Sequence, residues 1–323
     1  MSTIDFRTAI CEALDEELAR DESVLVFGED VAAAGGVWAT TPTLLERHGP
    51  ERVFDTPISE LALAGAAFGS ALCGKRPVIE IMFGDFLMLA MDSLVNQAAK
   101  WWYVSNEQAS VPLVVRTAVG AGLQFGAVHS QMPISWFLGV PGLKIVCPST
   151  PGDAKGLLKQ SIRDNNPVLF LEHKRLYSMT GESTQDVIPI GVAKTVRAGR
   201  DITLVSAMRG VHDCLAAAEE LASSGIEAEV IDLRTLRPLD MSTVIDSLKR
   251  THRLLVVEEG PRTGGWSGEV LARTLEDALE HVDIAWRLAT PDTPIPYAQA
   301  LEDAFLPSRG SIVASVKSHL DPH

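Results

Sequence analysis

Short apolar, β-branched runs alternate with amphipathic stretches along nearly the whole chain. The runs VLVFG (24–28), RVFDT (52–56), RPVIEIM (76–82), VPLVVRT (111–117) and LKIVCPS (143–149) are each followed by helical periodicity or a glycine-rich loop, and PVLFLEH (167–173) completes the series. This alternation constrains the fold more than any other feature. Strands joined by helices pair in parallel and are covered on both faces, which favours continuous apolar strands over alternating ones. The pattern predicts helices over 4–20, 42–48, 56–73, 86–101 and 151–163. In the third of these, Thr56 reads as the cap, Pro57 as the first helical residue and Gly74 as the stop.

A polar, turn-rich stretch over 177–199 interrupts the pattern, and a second unit follows. It has strands at DITLVSA (201–207), IEAEVIDLRTLRPLD (226–240), HRLLVVEEG (252–260) and DIAWRLATP (283–291), with helices over 211–223, 241–249 and 264–280. The expected fold class is α/β with two doubly wound domains. The domains are placed at 1–180 and 200–323, with 181–199 as linker. A chain of 323 residues suits two domains better than one core.

Composition narrows the function. Lysine and arginine total 28 against 42 aspartates and glutamates, a net charge of −14, so general nucleic-acid binding is not expected. Hydrophobic residues make up 46%, enough to exclude a disordered chain. The uncharged run 61–74 is rich in small residues and shorter than the ~20 apolar residues a membrane span needs. The N-terminal stretch carries acids where a secretory leader carries bases, so a cytoplasmic protein is expected. Cys11, Cys73, Cys147 and Cys214 are too scattered for a zinc site and read as reduced thiols.

Several residues carry possible chemistry. Glu60 lies in the first turn of an apolar, small-residue helix. The helix N-terminus favours its ionised form and burial opposes it, which suits either proton transfer or an ordinary capping role. Glu29 and Asp30 follow the first long strand, at the end where parallel sheets gather ligands, and read equally as a solvated turn. The loop TAVGAGLQFGAVHSQ has the spacing GxGxxxG rather than GxGxxG and no acid at the distance a dinucleotide site requires. Its His129 can relay protons near neutral pH or be merely structural. GGWSGE has Glu269 where a nucleophile elbow needs glycine.

Taken together, GEDV, DTPISELALAGAAFG, RPVIEIMFGDFLMLAMD, VNQAAK, the HSQ loop, PGLKIVCPSTPGDAKGLLKQSIRDNNPVLFLEH and RTLRPLD resemble the β subunit of thiamine-diphosphate-dependent 2-oxo acid dehydrogenases. This is the decarboxylating first component of the pyruvate, acetoin and branched-chain complexes, in the transketolase-like superfamily. The resemblance runs from about residue 4 to the end and is densest between Phe54 and His173. It implies a pyrimidine-binding domain followed by a transketolase-type C-terminal domain.

On that resemblance, Glu60 matches the glutamate that hydrogen-bonds the cofactor's aminopyrimidine ring, so that the exocyclic nitrogen can take the thiazolium proton. Glu29 matches an acid that passes protons between active sites. Phe86 and Ile58 match residues lining the pyrimidine pocket. His129 matches the histidine near the reacting carbon that assists acyl transfer to the lipoyl group. Leu113, Ser161, Ile162, Asp164 and Asn166 match a potassium site of some members, built mostly from backbone carbonyls.

The family tether for Mg²⁺ and the diphosphate is GDG followed by NN. Here Gly84-Asp85 is followed by Phe86, and Asn165-Asn166 lies far downstream. The resemblance therefore implies a separate α subunit holding Mg²⁺, an α₂β₂ assembly sharing thiamine diphosphate, and a lipoyl acyltransferase partner. WWYVSNE (101–107) and Val128 before His129 depart from the family pattern, and the overall pattern leans to a small 2-oxo acid or acetoin as substrate. The alternatives are the C-terminal half of a split transketolase, or a mainly scaffolding subunit that docks the acyltransferase through an acidic surface.

Overall fold

The computed structural model describes residues 3–320. The chain forms two compact units. One holds the residues through Val119 together with Trp136–Ile190, and the other holds Gly120–Ser135 with the chain from Gly191 onward.

In the first unit the strands are β1 (Thr3–Asp5), β2 (Val24–Gly28), β3 (Val53–Asp55), β4 (Arg76–Ile81), β5 (Val114–Val119), β6 (Lys144–Val146), β7 (Val168–His173) and β8 (Thr180–Glu182). β6-β7-β5-β4-β2-β3 lie side by side in that order, all parallel. β2, β4, β5 and β7 are buried along nearly their full length, as expected for strands covered on both faces, and the charged residues within them, Glu80, Arg116 and Glu172, are buried as well. β1 pairs antiparallel with β8. That long-range pairing takes residues 4 and 5 out of the helix expected from 4, and α1 instead spans Phe6–Arg20, capped by the Asp5 carboxylate on the Thr8 amide.

α2 (Leu44–His48) is followed by α3 (Glu60–Leu72). α3 starts later than its Thr-Pro signal suggests, because the Thr56 amide donates to the Gly28 carbonyl at 2.9 Å and prolongs the strand. Gly74 lies just beyond its C-terminal end with φ +85°, a conformation glycine adopts without strain. The single helix expected over 86–101 is also corrected. The segment is a 3₁₀ stretch (Gly84–Ala90), a π-helical stretch (Asp92–Ala98) and α4 (Ala99–Val104). A close approach holds it in place: Gly142 (φ +89°) abuts the Ala99 carbonyl so tightly that no Cβ fits. Tertiary packing here overrides helical periodicity, and widened turns of this kind are frequent at functional sites.

A short α5 (Ile134–Leu138) precedes α6 (Pro151–Arg163), whose Thr150 cap accepts from the Asp153 amide. α6 lies along α1 through a ladder of ion pairs. The Lys155 ammonium is buried between Glu12 (2.6 Å) and Glu16 (2.8 Å), and Lys159 and Arg163 pair with Glu16 (2.8 Å) and Glu17 (2.6 Å).

The second unit contains β9 (Lys194–Arg197), β10 (Ile202–Ser206), β11 (Ala228–Asp232), β12 (Thr235–Arg237), β13 (Arg253–Pro261) and β14 (Ile284–Thr290). β14-β13-β10-β11 are parallel and β9 closes the edge antiparallel. One face packs Leu204, Val230 and Leu255 against Val211, Cys214 and Leu221 of α7 (Arg209–Ala222) and Ile312 and Val316 of α11 (Arg309–Leu320). On the other face Thr203 bonds Ser247 and Thr251 of α8 (Met241–Thr251), both at 2.6 Å. α9 (Trp266–Ala278) starts on the buried Glu258 carboxylate, which accepts from the Trp266 and Ser267 amides at 2.9 Å each. α10 (Gln299–Phe305) follows β14. All four cysteines are free thiols.

Candidate active site

The chain leaves β2, adds β3 on one side and returns to place β4 on the other. Parallel sheets bind ligands outside the carboxyl ends of strands at such a reversal, because the loops there part in opposite directions. Glu29 directly follows β2, Phe83 lies two residues beyond β4, and Phe86 lies in the 3₁₀ stretch after it.

Glu29 and Glu60 come together at this point. The Ser59 amide, at the start of α3, donates to the Glu29 carboxylate at 3.2 Å, and Glu60 is the first residue of the helix. Both are buried, at 6% and 7% exposure. Burial and then the nearby Glu60 charge push the Glu29 carboxyl above the usual range, partly opposed by the Ser59 N–H. Among the described residues, no hydrogen bond or ion pair engages the Glu60 carboxylate. A buried acceptor lacking a protein donor, at the positive end of a helix, fits a ligand that brings its own N–H. Ile58 is 83% exposed just before it. Phe86 is half-buried, edge-on to Phe83 at 5.8 Å.

The loop after Glu29 is fixed by residues that the sequence did not single out. Asp55, inside the DTPISE stretch, accepts from the Ala32 and Ala33 amides at 2.7 and 3.1 Å. Trp38 donates its indole N–H to the Met82 carbonyl at 3.1 Å, packs edge-on to Phe83 and stacks on Tyr177. Thr40 donates to Glu80 at 3.1 Å. Glu80 also belongs to a buried triad across β4, β5 and β7. Arg116 reaches Glu80 at 3.0 Å and Glu172 at 2.7 and 3.0 Å, and Tyr177 donates to Glu172 at 2.9 Å. Burial alone would lower Arg116, but the two carboxylates hold it above its ordinary value, while burial raises the Glu172 carboxyl. One-letter strings with isolated Trp, Thr and Asp give no signal of these contacts, most of which join residues remote in the chain, such as Ala32 and Asp55 or Arg116 and Glu172.

His129 lies in the loop that belongs to the second unit, half-buried, with its amide near the Gly126 carbonyl at 3.5 Å. Ser161, Ile162, Asp164 and Asn166 gather at the C-terminal end of α6. The Ile162 and Asp164 carbonyls accept from Arg76 at 2.9 and 3.0 Å, and the Asn166 amide donates to the Asp164 carboxylate at 2.9 Å. The Leu113 carbonyl accepts from the Val168 amide at 2.9 Å. The Ile162 and Asp164 carbonyls each keep a second lone pair, with the Arg76 guanidinium beside both and the Lys144 ammonium on the Asp164 carboxylate.

Two family descriptions match the chain, the transketolase pyrimidine-binding domain over residues 2–180 and the transketolase C-terminal domain over residues 191–312. A solved split-gene transketolase, an inactive β4 tetramer, is similar with a TM-score of 0.80 over 98% of this chain and 97% of that one. At 22% identity this likeness shows the fold alone: a two-domain, transketolase-type α/β protein.

Three curated relatives go further. The chain is 44% identical to the β subunit of acetoin:2,6-dichlorophenolindophenol oxidoreductase of Cupriavidus necator, covering 97% of this chain and 96% of that one. It is 44% identical to the 2-oxoisovalerate dehydrogenase β subunit of Bacillus subtilis, with 98% of each covered. It is 43% identical to the pyruvate dehydrogenase E1 component β subunit of Rhizobium meliloti, covering 98% of this chain and 70% of that one. The chain belongs to this family of 2-oxo acid and acetoin dehydrogenase β subunits, as its DTPISE and RPVIEIMFGDF stretches led one to expect.

Proposed function

We propose that the chain is the β subunit of a thiamine-diphosphate-dependent dehydrogenase that cleaves a small 2-oxo acid or acetoin and passes the acyl group to the lipoyl arm of an acyltransferase. The observation that carries this reading is the buried Glu60 carboxylate, beside Glu29 and without a protein donor, at the reversal point of the sheet. Bound thiamine diphosphate supplies an electron sink for the carbon–carbon bond cleavage.

The chain's own residues do the rest. Glu60 would hold the aminopyrimidine through a proton shared between its carboxyl and a ring nitrogen, and would thereby set the basicity of the exocyclic amino group. Glu29, with its raised carboxyl, exchanges protons with that position and relays them onward. Phe86 and Ile58 cover the ring and exclude water. His129 orients the reacting carbon and moves a proton during acyl transfer.

Because Phe86 stands where the diphosphate tether needs glycine, Mg²⁺ and the diphosphate are assigned to an α subunit, in an α₂β₂ assembly. Residues 1–180 serve as the pyrimidine-binding domain and 200–323 as the C-terminal domain. Leu113, Ser161, Ile162, Asp164 and Asn166 are assigned to potassium, and exchanging potassium for choline should lower the melting temperature if the ion resides there.

Co-expression with a candidate α subunit tests the function. The complex should oxidise pyruvate or acetoin with an artificial electron acceptor. Glu60→Gln should abolish turnover while the heterotetramer still elutes intact. Undiminished turnover in Glu60→Gln would leave only a scaffolding role.

A further inference from the structure

The loop that carries His129 is held by two carboxylates from distant parts of the chain. Its neck closes where the Gly120 amide donates to the Gln131 carbonyl at 3.3 Å. Just inside the neck, the Ala121 amide donates to Glu259, at the end of β13, at 2.6 Å. Further along, Gly122 and Gln124 donate their amides to the two oxygens of the Glu302 carboxylate, at 2.8 and 3.0 Å. Glu302, on α10, is 1% exposed. At the turn, Gly126 packs against the Tyr297 ring, where an added Cβ would lie 3.3 Å from the nearest ring carbon.

The loop needs such anchoring. Gly120, Gly122, Gln124 and Gly126 all have positive φ, and for Gln124 (φ +60°) that conformation is strained. Four left-handed residues within seven positions leave a flexible backbone unless something external fixes it. The Glu302 carboxylate does this by accepting from alternate amides of the left-handed run, which turns two N–H groups toward one anion. Bonds from amides to a buried carboxylate are charge-assisted and short. The side chains of Leu123 and Val128 are 41% and 63% exposed, so they add little to the hold that the two carboxylates have on the loop backbone.

We propose that Glu302, assisted by Glu259, is a positioning residue for the acyl-transfer chemistry: its carboxylate fixes the loop backbone and thereby the place of the His129 imidazole. This rests on the reading of His129 given above. Glu302 does not contact substrate. It acts through the loop, so its removal should impair the same step as removal of His129.

The test uses the β subunit assembled with its α subunit and a lipoyl-bearing acyltransferase domain, in wild type, Glu302→Ala, Glu302→Gln, His129→Ala and the Glu302→Ala/His129→Ala double variant. Amide exchange is measured at Gly122 and Gln124, and acyl transfer is measured as kcat and KM. Glu302→Ala should speed exchange at both amides about 10-fold or more, as local opening becomes easier. It should lower kcat for acyl transfer ~10- to 100-fold, the scale on which a displaced catalytic group acts, and change substrate KM little. The double variant should be no slower than His129→Ala alone, since coupled residues are not additive.

Glu302→Gln keeps the side-chain shape and one acceptor oxygen, so it provides a folded variant with an intermediate loss. Unchanged exchange in the Glu302 variants, or losses that multiply in the double variant, would overturn the proposal. Wild-type turnover in His129→Ala would instead overturn the role of His129, and the exchange data would still decide whether the clamp exists.

Discussion

Removing the Arg116 guanidinium is the most demanding test of how the first unit is built. Arg116 is 1% exposed on β5 and makes three bonds to two carboxylates, at 2.7 and 3.0 Å to Glu172 and 3.0 Å to Glu80. Arg116→Met keeps much of the side-chain volume and deletes the charge. It leaves two buried carboxylates, of which Glu80 retains the Thr40 hydroxyl and Glu172 the Tyr177 hydroxyl. Breaking a buried pair from one side costs about 3–5 kcal/mol, because the abandoned charge has no solvent. At roughly 2–4 °C per kcal/mol for a unit of this size, the melting temperature should fall by ~6–20 °C at pH 7.5.

The pH dependence has a definite sign. Glu172 is already raised, first by burial, and loses its main opposing influence in the variant. A carboxyl raised in the folded state stabilises it at low pH and costs stability once pH exceeds the unfolded value of about 4.3. The deficit of Arg116→Met should therefore shrink from pH 7.5 toward pH 5. Adding Glu172→Gln should recover part of it at pH 7.5. Calorimetric unfolding at the two pH values measures both effects. A deficit under about 1 kcal/mol at pH 7.5, or one that grows on acidification, would refute the assignment of Arg116 as the counter-charge that keeps this core folded.

Glu29→Gln should raise the thermal stability of the isolated chain at pH 7–8, because the wild-type carboxyl is raised by burial and by Glu60 and costs stability when ionised. The advantage should disappear below about pH 4, where the unfolded glutamate is protonated too. Glu258→Ala should destabilise the second unit by about 1–3 kcal/mol in denaturant melts, since the buried Trp266 and Ser267 amides lose their acceptor. Gly142→Ala should cost at least about 2 kcal/mol, combining positive-φ strain with a clash on the Ala99 carbonyl, and hydrogen exchange should report it around 92–104.

The strands were legible because apolar β-branched runs covered on both faces have few other ways to fold. VLVFG, RPVIEI and VLFLEH all became central parallel strands. Glu60 and Glu29 were legible as candidates because one opens an apolar helix and the other ends a strand. Helix boundaries were less so. Thr56 and Pro57 carry a sound start signal, yet the Thr56 amide finds the Gly28 carbonyl, and the helix waits for Glu60. The 86–101 segment has a helical pattern, but the close approach of Gly142 to the Ala99 carbonyl accompanies a 3₁₀ and π-helical path.

Sequence by itself determined the alternation of elements, the parallel class and the acidic balance, and it offered Glu29 and Glu60 as candidates, because these depend on local periodicity and residue type. Tertiary structure alone decided which charged groups meet which partners. Asp55 on the Glu29 loop, Arg116 between Glu80 and Glu172, and Glu302 on the His129 loop are pairings between remote residues. A carboxylate looks the same in a string whether it meets water, a guanidinium or a left-handed run of amides. Only the fold brings the partner within hydrogen-bonding distance and removes the solvent, and those two conditions give each contact its strength.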